Sequence, residues 1–561
     1  MEYISFFSRL KMGRTTRFFS SFDMIDLQSN SDLFEGVHLL KKAFAFLSTV
    51  ALTASLLIHP ASGKAATAFT DVSTYKEEIG YLTNQNIIKG YPDGTFKPDQ
   101  PIKRLQAVQM ILREMGLADT NAPNPNFEDI QPGDYGYEDI ATAVDLGIIS
   151  GKPDGTFDPW GTLTRAQMAK ILVNAYELGG IYPYGFKDVA PDSWAFEFVS
   201  PLAANNITTG YGDGTFKPNL SLSRAHFSVF MARLLEADFR PDNPLAADSM
   251  LEGLFDFKIQ DTDIHPDQPI IYVLDSIENQ VVALNYKTYE MAAVPLKLPA
   301  ERMTYRNGKI YVTLLKGQHS YTWWTEDQEG AIAIIDANQM KLEKQFNIDL
   351  DPFDIAADGS GHVFVTSGSG QHTSMHSYDE ATGEKLGERR LYMQSFMQMH
   401  PSLNRIYTID TNVSPRDMEV FQFDENGQFT SSYDSPYHGD HDLGKDLTIS
   451  PDGKYIFNSL GNVFRATLIK DSDMSYVGKL DKAYKTIAFD LEYGEFYTSN
   501  NREYITAYDY TTFKPKYQLE TYGKPDYMFY QNNKLLVFST IEMEGSNIPY
   551  VGLETIEFEA E

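Results

Sequence analysis

Gly90-Tyr91-Pro92-Asp93-Gly94-Thr95-Phe96-Lys97-Pro98 is the stretch on which the reading of this chain turns. It returns as Gly151-Lys-Pro-Asp-Gly-Thr-Phe-Asp-Pro159 and as Gly210-Tyr-Gly-Asp-Gly-Thr-Phe-Lys-Pro218, at spacings of 61 and 59 residues. Asp-Gly is a turn signal, because Gly accepts φ > 0 and Asp bonds its own backbone. The first glycine follows Ile87-Ile88-Lys89, Ile148-Ile149-Ser150 or Ile207-Thr208-Thr209, and so reads as the left-handed stop of a helix. Phe96, Phe157 and Phe216 pin each loop to a core, and the closing proline ends it before the next helix. Three copies at a fixed period are three copies of one supersecondary unit.

Working outward, each copy opens on Phe-x-Asp-(Val/Ile): Phe69–Val72, Phe127–Ile130 and Phe186–Val189. An aromatic follows at Tyr75, Tyr135 and Trp194, to stack on a ligand or fill the core. A first helix then carries apolar positions such as Ile79, Leu82 and Ile87, or Val199, Leu202 and Ile207. After the glycine loop a second helix starts at Lys103-Arg104-Leu105-Gln106, Thr164-Arg165-Ala166-Gln167 and Ser223-Arg224-Ala225-His226. Thr164 and Ser223 are natural N-caps, with Gln167 completing a capping box. By position alone, Arg104, Arg165 and Arg224 are ligand arms, solvated helix-start residues, or partners of the opening aspartates. Asp71, Asp129 and Asp188 read as structural caps.

Together these three copies resemble the S-layer homology (SLH) domain, whose pattern is Phe-x-Asp-Val, an aromatic, Gly-Tyr-x-Asp-Gly-Thr-Phe-x-Pro, then Ile-Thr-Arg-Ala-Glu. The resemblance spans roughly 170 residues. It implies an α-helical pseudo-threefold module that anchors an exported protein to a secondary cell-wall polymer of a Gram-positive-type wall, one bearing pyruvylated sugars. The site residues it implies are Arg104, Arg165, Arg224, Gly90, Gly151, Gly210 and Trp194. The chemistry suits them: a pyruvate ketal is a carboxylate, which Arg binds bidentately, and a helix N-terminus favours an anion. Residues 69–236 hold 13 Lys/Arg against 21 Asp/Glu, so an anion must be met by a few placed cations. Copy one departs furthest from the pattern at its second helix start, and copy three has Gly212 and His226 in place of Pro and Glu.

Before the repeats, Lys41-Lys42 and the apolar run 43–58 precede small residues at Ala61, Ser62, Gly63, Ala65, Ala66 and Ala68. This is a secretory signal pattern, too short for a spanning helix, so no transmembrane segment is expected in the mature chain. Residues 1–36 fit no export signal and read as an over-extended gene start.

From residue 251 the pattern changes to period two. Seven β-rich runs, at Ile271, Ile310, Val363, Ile406, Tyr455, Phe496 and Leu535, recur about every 44 residues, the period of a four-stranded blade. They resemble YVTN-type and WD-repeat-like seven-bladed β-propellers. One blade traces as Lys485–Phe489, Glu495–Ser499, Tyr504–Tyr510 and Lys516–Glu520. The last blade lacks an outer strand, which Leu251–Lys258 is placed to supply. The long loops 316–330, 367–375, 410–418 and 434–446 share one face and gather Trp323, Trp324, His438 and His441, with His319, Tyr321, His372, Tyr437, Asp440 and Asp442, and His376 just beyond. That face reads as a protein- or glycan-binding surface, as a metal or catalytic site, or as loop variation without a ligand. The spacing of His438-x-Asp440-His441 is a weak metal signal.

The division is therefore 1–36 extension, 37–66 signal peptide, 67–120, 121–183 and 184–237 repeats, 238–250 linker, and 251–561 propeller. Across 561 residues, Lys+Arg is 47 against Asp+Glu 77, and there is no Cys. Net charge −30 argues against nucleic acid, and the missing thiols exclude disulfides and cysteine chemistry. No nucleophile elbow, phosphate loop or paired-carboxylate motif stands out, so no cofactor, metal or catalytic residue is assigned. The expected function is surface anchoring with a displayed binding module. The alternatives are a wall-tethered propeller enzyme (lactonase-like or glycan-processing) and an S-layer structural component.

Overall fold

The computed structural model describes residues 69–117, 122–323, 327–370, 373–543 and 549–558. The expected signal peptide, 37–66, and the segment before it lie outside them. The chain forms two compact units: one of the residues up to Glu177 with Phe216–Pro241, the other of Leu178–Thr215 with Asp242–Glu561. The division runs through the third repeat.

Six α-helices occur among the described residues: α1 (Lys76–Asn84), α2 (Arg104–Glu114), α3 (Tyr137–Asp145), α4 (Arg165–Tyr176), α5 (Phe196–Ala204) and α6 (Arg224–Leu235). The first unit holds all but α5. Its second helices start as their caps require: Gln167 N–H donates to Thr164 Oγ1 (3.3 Å) and Thr164 N–H to Gln167 Oε1 (3.0 Å), and His226 N–H donates to Ser223 Oγ (3.2 Å). Leu105, Val108, Ile111 and Leu112 turn the α2 face inward, as Ala166, Ala169, Leu172 and Val173 do for α4, at the spacing of a helical stripe.

The opening aspartates hold the loops. Asp71 accepts the amides of Phe96 (2.8 Å) and Lys97 (2.7 Å), and Asp129 those of Phe157 and Asp158 (both 2.7 Å). Burial acts against the Asp71 charge, yet the amides outweigh it and hold the carboxyl below its ordinary value. Of the three opening glycines only Gly210 (φ 70°) is left-handed. The left-handed residues that stop the first helices come earlier in every copy, at Asn86 (φ 60°), Gly147 (φ 73°) and Asn206 (φ 56°). What requires glycine at 90 and 151 is contact: a Cβ there would lie 2.2 Å from the Phe69 or Phe127 ring.

Backbone bonds link the second-helix starts in a cycle. Ile102 N–H donates to Leu222 O (2.9 Å), Leu222 N–H to Leu163 O (2.9 Å), and Leu163 N–H to Ile102 O (3.3 Å).

The second unit contains seven four-stranded antiparallel sheets. Strand β1 (Met250–Phe255) precedes β2 (Ile259–Ile264), and blades begin at β2, Ala300, Pro352, Phe396, Leu447, Thr486 and Lys524. The seven apolar runs are each blade's second strand. The traced blade is Thr486–Asp490, Glu495–Ser499, Tyr504–Asp509 and Pro515–Glu520. β1 is the outer strand of the seventh blade and pairs antiparallel with Tyr550–Glu557, so the ring is closed by both ends of its chain and the last blade is not left a strand short. Successive inner strands are clasped by carboxylates: Asp261 Oδ2 accepts Met303 N–H (2.9 Å), Asp263 Oδ2 Tyr305 N–H (2.8 Å), and Asp354 Oδ2 Met397 N–H (2.8 Å). Within this unit Ile181 N–H donates to Leu251 O (2.7 Å), and Ile181 packs against Leu251, Leu254 and Ile541.

Candidate functional site

The motif arginines are neither solvated nor extended. Arg104, Arg165 and Arg224 are 8%, 6% and 3% exposed, and each guanidinium lies on the loop phenylalanine of another copy. Arg104 Nε donates to Phe157 O (2.8 Å), Arg165 Nε to Phe216 O (2.7 Å) and Arg224 Nε to Phe96 O (2.9 Å). Arg104 also reaches Ser150 O (2.9 Å) and Arg224 reaches Lys89 O (3.2 Å). The guanidinium carbons sit 4.6, 4.5 and 4.6 Å from those ring centroids, a cation–π distance. Burial lowers the proton affinity of Arg104 and Arg224.

Beside Arg224 opens a cleft of about 130 Å³ lined by Lys89, Gly90, Tyr91, Gln106, Gln109, Met110 and Arg113. The copy-one loop and α2 supply most of it. Arg113 is tied to Ile87 O (3.1 Å), while Lys89 is exposed. Three cations, Lys89, Arg113 and Arg224, thus line one cleft. Gly90, Gly151 and Gly210 each sit against the opening phenylalanine of their own copy, Phe69, Phe127 and Phe186. The post-motif aromatics are solvent-facing: Tyr135 is 70% and Trp194 54% exposed, and Tyr75 meets His226 edge-on at 5.8 Å.

On the propeller, the loop side chains gather at two points. At the first, His319 Nδ1 lies 2.7 Å from Oδ2 of Asp351, which is fully buried and also accepts Ser369 Oγ–H. Ser320 N–H donates to Ser369 Oγ (2.8 Å), and Tyr321 O–H to Asn412 Oδ1 (2.9 Å), so three loops are tied together. Trp323 is half-buried, packed so closely on Gly317 that a Cβ there would be 2.7 Å from its ring. Trp324 and His372 lie outside the described residues. At the second point, His438, 67% exposed, meets Asp417 Oδ2 at 2.6 Å. His441, half-buried, stacks on Tyr476 at 4.2 Å and takes Tyr437 edge-on at 4.7 Å. His376 is buried inside blade three, Nδ1 2.9 Å from Tyr378 Oη, and so does not reach the face. Among the described residues no three His, Asp or Glu side chains converge as a metal ligand set.

The S-layer homology domain model matches residues 68–108, 126–169 and 185–228. The chain carries three SLH repeats. It is similar to a Bacillus anthracis protein named an uncharacterized cell wall amidase, at 35% identity over 199 residues, 34% of this chain and 37% of that one. It is similar to the Surface-layer 125 kDa protein of Lysinibacillus sphaericus, at 32% over 202 residues, 35% and 17% of the two chains. The Cellulosome-anchoring protein of Acetivibrio thermocellus is 32% identical over 159 residues, 27% and 35%. The chain therefore spans between 17% and 37% of the length of these relatives. Among solved structures, Kuenenia stuttgartiensis Hydrazine Synthase covers 55% of this chain at 13% identity and a TM-score of 0.40, a likeness that carries nothing about activity.

Around the SLH repeats, Lys89, Gln109, Arg113 and Trp160 stand outside the motif positions that the sequence points to. Arg113 belongs to copy one's helix and Arg224 to copy three's, so the pairing is visible only once the chain is folded.

The propeller is rich in carboxyls whose burial resists charge. Asp263 and Asp354 are pushed up to about 6, and Asp410 and Glu419 to about 7, in each case first by burial. A raised folded-state value means that folding binds protons, so stability is fullest below the unfolded value and declines as pH rises through the folded one. His265, His376 and His400, held neutral by burial, act oppositely in acid. The propeller's melting temperature is therefore expected to fall by several degrees from about pH 6 to about pH 8.5, as read by calorimetry. An increase over that range would contradict the assignment.

Proposed function

We propose that the SLH repeats anchor this chain non-covalently to an anionic polysaccharide of the bacterial cell wall, a secondary cell-wall polymer bearing pyruvyl ketals, and that the propeller is displayed there as a binding module. The chain is a secreted, cell-wall-surface protein by its SLH repeats. The observation that carries the ligand class is the cleft in which Lys89, Arg113 and Arg224 converge on a chain of net charge −30. A ketal carboxylate suits a space of about 130 Å³ where guanidinium and ammonium donors meet. Relatives named for surface layers and anchoring support the same reading. The cyclic exchange of backbone bonds and arginines among the copies supports a pseudo-threefold arrangement of the module. The deep burial of the motif arginines supports a role in holding the cleft walls, with Lys89 and Arg113 presenting charge to the ligand.

The test uses the full chain and purified walls, before and after chemical removal of the secondary polymer. Lys89→Gln alone, at an exposed residue, is expected to weaken binding about tenfold, a lost charge-assisted contact being worth about 1.5 kcal/mol or more, without altering the wall-free melting temperature. Adding Arg113→Gln should weaken it about tenfold further and cost some stability, since the Arg113 bond to Ile87 O goes with it. Binding indifferent to both polymer and cations would retire the cleft.

A second reading, a wall-tethered hydrolase, draws on His319. Burial opposes its charge, but Asp351 holds its proton affinity above the ordinary value, an arrangement shared with catalytic His–Asp pairs. Wall hydrolysis that disappears in His319→Gln would favour it.

A further inference from the structure

We propose that Tyr135 and Trp160 form a stacking platform for a second, uncharged sugar ring of the acidic glycan whose carboxylate occupies the neighbouring cleft. This rests on the cleft reading above. Tyr135 and Trp160 are 70% and 59% exposed. Their rings are nearly parallel, 9° apart in plane with centroids 6.4 Å apart. Stacked with their planes almost parallel and both largely open to solvent, they offer an amphipathic aromatic face with a polar tip.

The cleft and the platform are joined through one side chain. Gln109 lines the cleft, and its Nε2 donates to Asp139 Oδ2 (2.8 Å) and toward Tyr135 Oη (3.4 Å). A ligand held by Lys89 and Arg113 in the cleft that extends past Gln109 meets the Tyr135 ring next. The rim there is polar: a phenol hydroxyl, a carboxamide and a carboxylate. A sugar offers the matching pattern, with C–H groups on its faces and hydroxyls around its edge, and Tyr and Trp combine an apolar body with a polar tip in the same way. The occupant is therefore the hexose or hexosamine adjoining the acidic sugar in the same chain.

The platform is specific to one copy. The residue after the loop proline is Trp160 in copy two, but Asp99 and Asn219 in the others. The repeats are thus not interchangeable at this position.

Calorimetric titration of the full chain distinguishes the parts. The probes are the methyl glycoside of a pyruvyl-ketal N-acetylhexosamine and the disaccharide joining that sugar to N-acetylglucosamine. The unaltered chain is expected to bind the disaccharide about tenfold tighter, the scale of one aromatic stacking contact. Trp160→Ala should bring the disaccharide down to the monosaccharide's affinity and leave the monosaccharide unchanged, while Trp160→Tyr keeps most of the gain. Equal loss on both probes, or no loss on the disaccharide, overturns the platform while leaving the cleft standing. Failure of the unaltered chain to bind either probe removes the cleft reading and the platform with it.

Discussion

Arg224→Ala is expected to lower the melting temperature of the SLH unit by roughly 6–12 °C, the shift that about 3 kcal/mol produces in a domain of this size. The guanidinium is 3% exposed and donates to Phe96 O and Lys89 O, 128 and 135 residues away. Removing it leaves two carbonyls without their charge-assisted partner, strips the cation from the Phe96 face and opens a void. Loss of wall binding should accompany the loss of stability, because the cleft wall goes with it. Arg224→Lys keeps a charge but not the fork that reaches both carbonyls, and is expected to recover about half the stability. Calorimetry of the three proteins decides the matter. If Arg224→Ala melts with the unaltered chain, the arginine is a ligand arm and not a bolt between copies.

Leu251→Asp is expected to have the larger effect, opening the propeller. Leu251 is fully buried and stands opposite Glu554 in the closing pair of strands. Glu554 is itself fully buried, its carboxyl raised first by burial although Ser249 Oγ–H and the amides of Tyr522 (2.7 Å) and Gly523 (3.1 Å) donate to it. A second carboxylate there loses the leucine's packing, about 2–5 kcal/mol, and adds an unpaired buried charge. Leu251→Ala removes only the packing. The aspartate variant should show fast amide exchange across Tyr550–Glu557 and concentration-dependent association in size-exclusion runs, since a bared strand edge recruits another. Protection of that strand equal to the unaltered chain's would mean that β1 is not the closing element.

The second strands are readable in the sequence because both faces are covered: Ile271, Tyr272, Val273 and Leu274 are all buried, so the apolar run is unbroken. Inner strands such as Ile259–Ile264 carry Gln260, Asp261, Thr262 and Asp263, whose clasp on the next blade gives no hydrophobic signal. Gly90 and Gly151 read as helix stops because a glycine required by a neighbouring ring looks in sequence like one required by its φ. The arginine motif is legible as a motif, but not its burial, which depends on a loop supplied by another copy. Trp160 carries a signal of its own, as the place where one copy differs from the other two.

Closure by β1 also sets an order of events. Ser249 and Glu554 are 305 residues apart, so the ring cannot close until its seventh blade is made, and its longest loop must close before the final contacts reward it. During that wait β1 is an apolar strand without its partner. Ile181, already synthesised, gives Leu251 a backbone bond and an apolar neighbour. The segment that leads into the third repeat thus covers part of the propeller's closing strand in the folded chain, so a change at Ile181 reaches the seam of the ring.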